Sequence, residues 1–396
     1  MRLSISIITA LALAACTAKA PLSSIVVVSE IERNPEAAYI DGLGGKLKWN
    51  YTTGLELKAF LDVAEAYAAS AAIEPGVILQ YVDAWYDAII AEDGTIGVNY
   101  KKSNYSVDHI CPGRTLFQLY RLTGKEKYRL AMDKLYEQVK EQPRTPEGGF
   151  WHKQIYPEQM WLDGLYMMQP FYAEYTAGFV PDKEESANFE DIVHQFLLVA
   201  EHTHDPYTGL YRHAWDSSHE MFWAEKATGR SAHAWGRAMG WYAMALVDVL
   251  PFIPANIKGR EGMVSILRDI ADNLPKYADP GTGMWYQVLD QPGREGNYVE
   301  ATASAMFVYA MLKGCRYGYL DCLPYAKECY LKLLDTFVTY DENGLLDLND
   351  CCEVAGLGGK QMRSGDYEYY IHEPVRANDP KGIGPLIWAA LEYERL

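Results

Sequence analysis

Positive charge is scarce in this chain. Its 396 residues carry 36 Lys and Arg against 53 Asp and Glu, a formal net charge of -17. Nucleic-acid binding needs clustered cations to neutralise phosphates, so a polymer of that kind is a poor partner. The same imbalance repels anionic ligands at long range, so an anionic substrate would need a local cationic pocket. Cysteine is also sparse, with seven in all. Beyond Cys16, the six others (Cys111, Cys315, Cys322, Cys329, Cys351 and Cys352) show no zinc-like spacing with a His or Cys partner. Cys322 and Cys329 fall seven apart in one helical pattern, two turns apart on one face and too far for a bridge. These six read mostly as core residues. The sequence also lacks a G-x-G-x-x-G in a strand–helix setting, a phosphate-binding GK[ST] loop, an H-E-x-x-H pair and a G-x-S-x-G elbow. No cofactor and no metal are therefore expected.

Long apolar runs are absent but for one. Residues 3–15 form an apolar stretch after Arg2, short for a membrane span and the length of a signal core. It ends in Leu13-Ala14-Ala15-Cys16, which resembles a bacterial lipobox, with Cys16 as the lipid-bearing new N-terminus. An ordinary signal peptide cleaved near Ala18–Ala20 is the alternative. The reading is a signal segment over 1–20 and an exported protein whose contact with the membrane is a lipid on Cys16. The segment that follows lacks acidic residues, which favours the periplasmic face.

What is abundant is aromatic: 30 Tyr and 10 Trp. Such rings fill cores, and they also stack on sugar faces while their polar tips hydrogen-bond. A short segment recurs, a Gly followed by apolar or aromatic residues after a turn. It stands at Gly45, Gly97, Gly149, Gly209, Gly283 and Gly344, which gives six units with a period near sixty. Helical periodicity lies between the copies, over 53–69, 113–122, 125–141, 157–175, 187–201, 231–250, 260–274, 299–312, 323–337 and 382–394. Two helices and a short hairpin per unit, six times, make an all-α (α/α)6 toroid, read as one catalytic domain over 21–396. In such a ring the residues after each repeated Gly segment converge on one mouth.

Those residues are polar and aromatic. Asp163 interrupts an apolar run from Met160 to Met167, where a buried carboxyl is costly unless paired or neutral. It is either a core Asp capping a neighbouring helix or a functional group. Asp108 lies ahead of Pro112, where capping is again the structural alternative. Two carboxylates facing one cavity push their pKa values apart and leave one able to hold a proton. Arg237 and Trp241 share a helix face, with Gly236 and Gly240 beside them. Arg237 could clamp a carboxylate, and Lys153 could add a second positive charge. The glycines imply close approach by a packed helix or by a ligand.

Together these motifs resemble glycoside hydrolase family 105, the unsaturated rhamnogalacturonyl hydrolases, from about Trp49 to the C-terminus. The resemblance rests on Asp108-His109-Ile110-Cys111-Pro112-Gly113, on Tyr156 through Asp163, on His213, and on Trp235-Gly236-Arg237-Ala238-Met239-Gly240-Trp241. Where the family often has a second glycine, this chain has Ala238. The resemblance implies an (α/α)6 barrel with Asp163 as general acid/base and Asp108 as second carboxylate. It implies that His213, Arg237 and Trp241 hold an unsaturated uronate, with Trp161, Lys153, Trp235 and Tyr51 as further pocket residues. The substrate so implied is the 4,5-unsaturated galacturonic acid at the end of a rhamnogalacturonan oligosaccharide. An unsaturated glucuronyl end from ulvan or glycosaminoglycan is the nearest alternative. A sugar epimerase on the same ring would want paired histidines facing the sugar, and a binding-only protein would not need both Asp108 and Asp163.

Overall fold

The computed structural model describes residues 20–68 and 74–396. The lipobox and Cys16 lie outside the described residues. Among those described, no helix is long and apolar enough to cross a membrane.

Six helices stand around the inside of a ring: α2 (Tyr51–Ala66), α4 (Gly113–Thr123), α6 (Leu162–Phe179), α8 (Gly236–Val249), α10 (Ala301–Arg316) and α13 (Pro380–Glu394). Each packs on the next, and α13 packs back on α2, so the ring closes. Their sequences are apolar nearly all round, which suits helices covered on every side; every residue of α8 is buried. The outer layer is α3 (Pro75–Ile89), α5 (Glu126–Glu141), α7 (Asp182–Thr203), α9 (Arg260–Asn273) and α11 (Leu323–Phe337), packed on α2, α4, α6, α8 and α10 in turn. The sixth outer helix is α1 (Leu22–Arg33), which packs on α13 at the other end of the chain. Ser23 ties that closure, donating through its backbone N–H and its hydroxyl to the Glu394 carboxylate at 3.0 and 2.6 Å. The expected (α/α)6 toroid is the fold observed.

The repeated Gly segments mark the hairpins that lead from an outer helix to the next inner one. Bridges join Ile90 to Ile96, Arg144 to Phe150 and Ala278 to Trp285. Strand β2 (His204–Asp205) pairs with β3 (Leu210–Tyr211), and β5 (Val338–Tyr340) with β6 (Leu346–Leu348). The turn chemistry is local. Asp205, Asp279 and Asp341 each accept a backbone N–H two or three residues on, at 3.0, 2.8 and 2.8 Å.

Periodicity omitted α1 and α3. It also overran at one informative place: the helix expected over 157–175 begins at Leu162. Gln159–Trp161 is instead strand β1, paired antiparallel with β4 (Ala214–Asp216). Tertiary pairing overrides the local pattern there. The six cysteines are free thiols, four of them buried. Cys322 and Cys329 do not share one helix: Cys322 precedes α11, with its Sγ 3.6 Å from Cys315 Sγ.

Two glycines settle a question of packing. A Cβ at Gly236 would lie 2.8 Å from the Tyr286 carbonyl oxygen and 3.1 Å from Ala303 Cβ. One at Gly240 would lie 2.8 Å from Met306 Sδ. The close approach is therefore of α10 and its leading hairpin, not of a ligand. Gly236→Ala should lower unfolding stability by about 1–3 kcal/mol, the usual range for overpacking, because a backbone oxygen cannot swing aside. Chemical denaturation would check this; unchanged stability would show that the two segments part freely.

Candidate active site

The site is built where the inner helices begin. Strand β1 fixes the first part of it. Its register sets Trp161 opposite Ala214, and the Leu162 N–H donates to the His213 carbonyl at 3.0 Å. Helix α6 can then start at Leu162, which places Asp163 in its first turn. Backbone N–H groups there lack helical partners, and negative charge is favoured. The Asp163 carboxyl stands 3.2 Å from His213 Nε2, with side-chain exposures of 13% and 0%. The ring N–H is off line, so neither atom completes a hydrogen bond. On its other side, His213 Nδ1 is 2.7 Å from the Tyr370 hydroxyl.

Asp108 lies in a tight turn over Val107–His109 ahead of α4. It does not cap that helix, whose start has no side-chain cap. Its carboxylate is instead 2.5 Å from Lys153 Nζ and 3.5 Å from His152 Nε2. Burial alone would raise the Asp108 pKa, but the Lys153 ammonium, together with His152 and His109, outweighs it and holds the carboxyl below its usual range. Burial pulls His152 down to about 4. The imidazole is therefore neutral at neutral pH, and Lys153, not His152, is the counter-ion.

Stacked rings connect the two carboxyls. His152 lies on Trp161, with centroids 4.4 Å apart and planes within 10°. Tyr156 also stacks on Trp161, at 5.0 Å. Trp161 meets His213 edge-on at 5.4 Å, and His213 meets Trp235 at 4.8 Å. A cavity of about 520 Å³ opens beside this cluster. Tyr51, Asp108 and Lys153 line it, with Lys48, Arg376 and Lys381 as further cations.

The chain has relatives among known enzymes. A family model for Glycosyl Hydrolase Family 88 matches residues 23–396. A solved structure from C. acetobutylicum ATCC 824, a glycoside hydrolase from family 105, is 43% identical with a TM-score of 0.87, over 94% of this chain and 99% of that one. The chain belongs to the family 88/105 glycoside hydrolases. The unsaturated rhamnogalacturonyl hydrolase YesR of Bacillus subtilis is 31% identical over 271 residues, 67% of this chain and 70% of YesR. An unsaturated glucuronyl hydrolase from Bacillus sp. GL1 shares the fold, with a TM-score of 0.64 at 12% identity over 94% of this chain and 95% of that one.

Of the residues anticipated for this glycoside hydrolase, Tyr51, Asp108 and Lys153 line the cavity, whereas Asp163, with 13% of its side chain exposed, is not part of that lining. Trp161, Trp235, His213, Arg237 and Trp241 are all buried, at 5% exposure or less. Arg237 in particular is occupied. Its guanidinium meets the Cys352 carbonyl, lies 3.3 Å from Glu300 and sits over the Trp235 ring at 5.3 Å. Only its Nε lacks a partner. The free fork expected of Arg237 is thus already engaged, because β7 (Cys351–Cys352) and the start of α10 close over it. Trp241 packs behind Tyr51 at 6.4 Å and on Tyr166 at 4.7 Å, as part of the barrel wall. Three residues escaped sequence reasoning. His152 ends the third repeated Gly segment and could have been found there. Glu300 could have been read as the α10 cap, accepting from the Ala303 N–H at 2.6 Å. Tyr370 lies in the five-residue helix α12 (Tyr367–Ile371), which carries no periodic signal. Among the described residues, no group of three or more His, Cys, Asp or Glu side chains is arranged to hold a metal ion.

The Asp108–Lys153 pair gives a pH-dependent prediction. A carboxyl with a lowered folded pKa adds stability above its unfolded value, about 3.9, and that stability is lost as pH falls through the lower folded value. Lys153→Met should cost about 1–3 kcal/mol at pH 7, since it strands a largely buried carboxylate. The difference from the parent should shrink below about pH 4. Denaturation at both pH values tests this, and a loss equal at both would show that Lys153 contributes packing rather than charge.

Proposed function

We propose that this glycoside hydrolase releases the terminal 4,5-unsaturated galacturonic acid from rhamnogalacturonan-derived oligosaccharides by hydrating the C4=C5 bond. The observation that carries the reading is the contrast between its two carboxyls. Asp108 is clamped by a lysine. Among the described residues no Lys or Arg forms an ion pair with Asp163, whose neighbour is His213. Asp163 is the group left to trade a proton. The likeness to YesR, an unsaturated rhamnogalacturonyl hydrolase, supports an unsaturated uronate on a rhamnogalacturonan fragment as substrate.

In this scheme protonated Asp163 delivers its proton to C4 of the enol ether, and the positive charge falls on C5 and the ring oxygen. Asp163, now a carboxylate, takes a proton from water as the water oxygen bonds to C5. The hemiketal opens as the C5–O bond to the ring oxygen breaks. The hemiacetal so formed at C1 then expels the next sugar. One carboxyl acts as acid and then as base. Tyr51, Lys153 and the cavity's other cations would hold the uronate, with Arg237 adding positive field from within the wall. Trp161, Trp235 and Trp241 would shape that wall.

Absorbance of the C4=C5 chromophore in unsaturated galacturonyl-rhamnose should fall with time as free rhamnose appears. Asp163→Asn should cut kcat by about 10²–10⁴-fold without unfolding the protein. If that variant turns over normally, Asp163 is not the acid/base. If the parent consumes only unsaturated glucuronyl disaccharides, the leaving-sugar assignment fails while the chemistry stands.

We also propose that residues 21–396 form one catalytic domain, exported and lipid-anchored through Cys16 toward the periplasm; the lipobox-like Leu13–Cys16 supports this. Cells fed a fatty-acid label should transfer it to the parent protein and not to Cys16→Ser. Equal labelling of both, or of neither, would overturn the anchor.

A further inference from the structure

His213 is closed off from the cavity, which it does not line. It is 0% exposed, with Nδ1 against the Tyr370 hydroxyl at 2.7 Å and Nε2 against Asp163 at 3.2 Å. A role in holding substrate directly, as the family resemblance implied, leaves both of these contacts unexplained.

Tyr370 is held as firmly as the histidine. It is 0% exposed, and its ring stacks on Trp235 at 6.0 Å with planes 21° apart. Its backbone carbonyl accepts from Gln287 Nε2 at 3.1 Å, and the same Gln287 accepts from Trp235 Nε1 at 3.0 Å. The short helix α12 that carries it is capped by Asp366, which accepts the Tyr369 N–H at 2.8 Å. Burial first, then the neighbouring Tyr369 and Asp163, push the phenol well above its ordinary pKa, so it keeps its proton. A buried O–H needs an acceptor, and His213 Nδ1 is the one this site provides. An imidazole that accepts at Nδ1 while neutral must carry its hydrogen on Nε2.

We infer that Tyr370 and His213 are positioning residues for Asp163: the phenol fixes the imidazole tautomer, so that Nε2–H is presented to one carboxyl oxygen and the other is left to hand its proton to the sugar. This rests on Asp163 being the acid/base. As Asp163 gives up its proton, the carboxylate formed meets a donor already aimed at it. A preset donor costs no reorganisation at that moment. The N–H is off line in the unliganded protein, and catalytic hydrogen bonds of this kind commonly tighten on substrate binding.

Tyr370→Phe keeps the stacked ring and removes the O–H. We expect kcat to fall about 10–100-fold, the cost seen when a metal-bound histidine loses the hydrogen bond that fixes its tautomer, with KM unchanged. Nitrogen-15 NMR of the histidine-labelled protein should show His213 with its hydrogen on Nε2 in the parent and a mixture of tautomers in Tyr370→Phe. Parent protein carrying the hydrogen on Nδ1 would overturn the inference without any variant, so a misfolded Tyr370→Phe does not protect it. Unchanged kcat in a folded Tyr370→Phe would overturn it too. Asp163→Asn assayed alongside separates the two failures. If that variant stays active, the acid/base assignment is at fault, whatever the NMR shows of His213.

Discussion

The pairing of three residues with three others governs this site. Strand β1 cannot continue α6 backwards because Gln159–Trp161 is committed to Ala214–Asp216. That commitment sets the first residue of α6, and so the height and direction of Asp163. The same pairing carries His213, one residue before β4, to the place where its carbonyl takes the Leu162 N–H and its ring faces the Asp163 carboxyl. A slip of one residue would turn every side chain on the strand to the opposite face. Trp161 would leave its stack with His152 and His213, and the link between the two carboxyls would go with it. The Asp163 carboxyl, the imidazole and the aromatic wall are thus one register choice seen from three sides.

The ring geometry answers the electrostatic problem that the composition poses. A chain at -17 must bring any anionic ligand in against its own field. The inner helices all begin at the site's end, so their partly positive termini point there. Lys48, Lys153, Arg376 and Lys381 line the cavity there, beside Asp41, Asp108 and Glu353; Lys153 is paired with Asp108, Arg376 with Asp41 and Asp379, and Lys381 with Asp379, so Lys48 is the lining cation with no ion pair among the described residues. The opposite end receives the helix C-termini, and there the chain places a closed ion network. Asp248 accepts from Lys313 at 2.6 Å and from Arg114 at 3.0 Å. Burial would raise its pKa, but the two cations bring it down to about 2. Lys313 stands in the last turn of α10 and offsets that helix's dipole, Arg114 reaches Asp248 from the first turn of α4, and the network binds α4, α8 and α10 across the barrel axis.

Much of this was legible in the sequence because it repeats. A glycine turn followed by apolar residues, six times over, is a signal that averaging strengthens, and it pointed to the toroid and the mouth. The candidate site residues stand out where they follow those turns: Asp108, Lys153, Asp163, His213 and Arg237 all do. What could not be read is what depends on contacts across the ring. Helix α1 closes onto α13 from the far end of the chain, and no local pattern announces that partner. Helical periodicity is the wrong guide for a strand whose mate is remote in sequence, so Gln159–Trp161 reads as helix until its pairing with Ala214–Asp216 is known. Tyr370 is the sharpest case, since its importance comes entirely from a histidine 157 residues away. Arg237 fails in the other direction: its type and spacing suit a carboxylate clamp, yet Glu300 and the Cys352 carbonyl already occupy it, and neither is its neighbour in sequence.

The distribution of partners also bears on which chemistry the site can run. Direct displacement at an anomeric carbon asks two carboxyls to share the work, one as acid and one as base or nucleophile. Here the partners are unequal. Asp108 is held at 2.5 Å by an ammonium that keeps it ionised and draws off its basicity. Asp163 faces an imidazole and no fixed cation. A clamped carboxylate is a weak base and a hindered nucleophile, but it is a steady negative charge beside a centre that turns positive. An enol ether needs that and little more: one proton delivered to C4, charge support while C5 is cationic, and the same carboxyl to accept a proton from water. The sugar then leaves through ring opening, so no second acid has to reach the glycosidic oxygen. The asymmetry that would handicap an ordinary glycosidase is what hydration of a double bond requires.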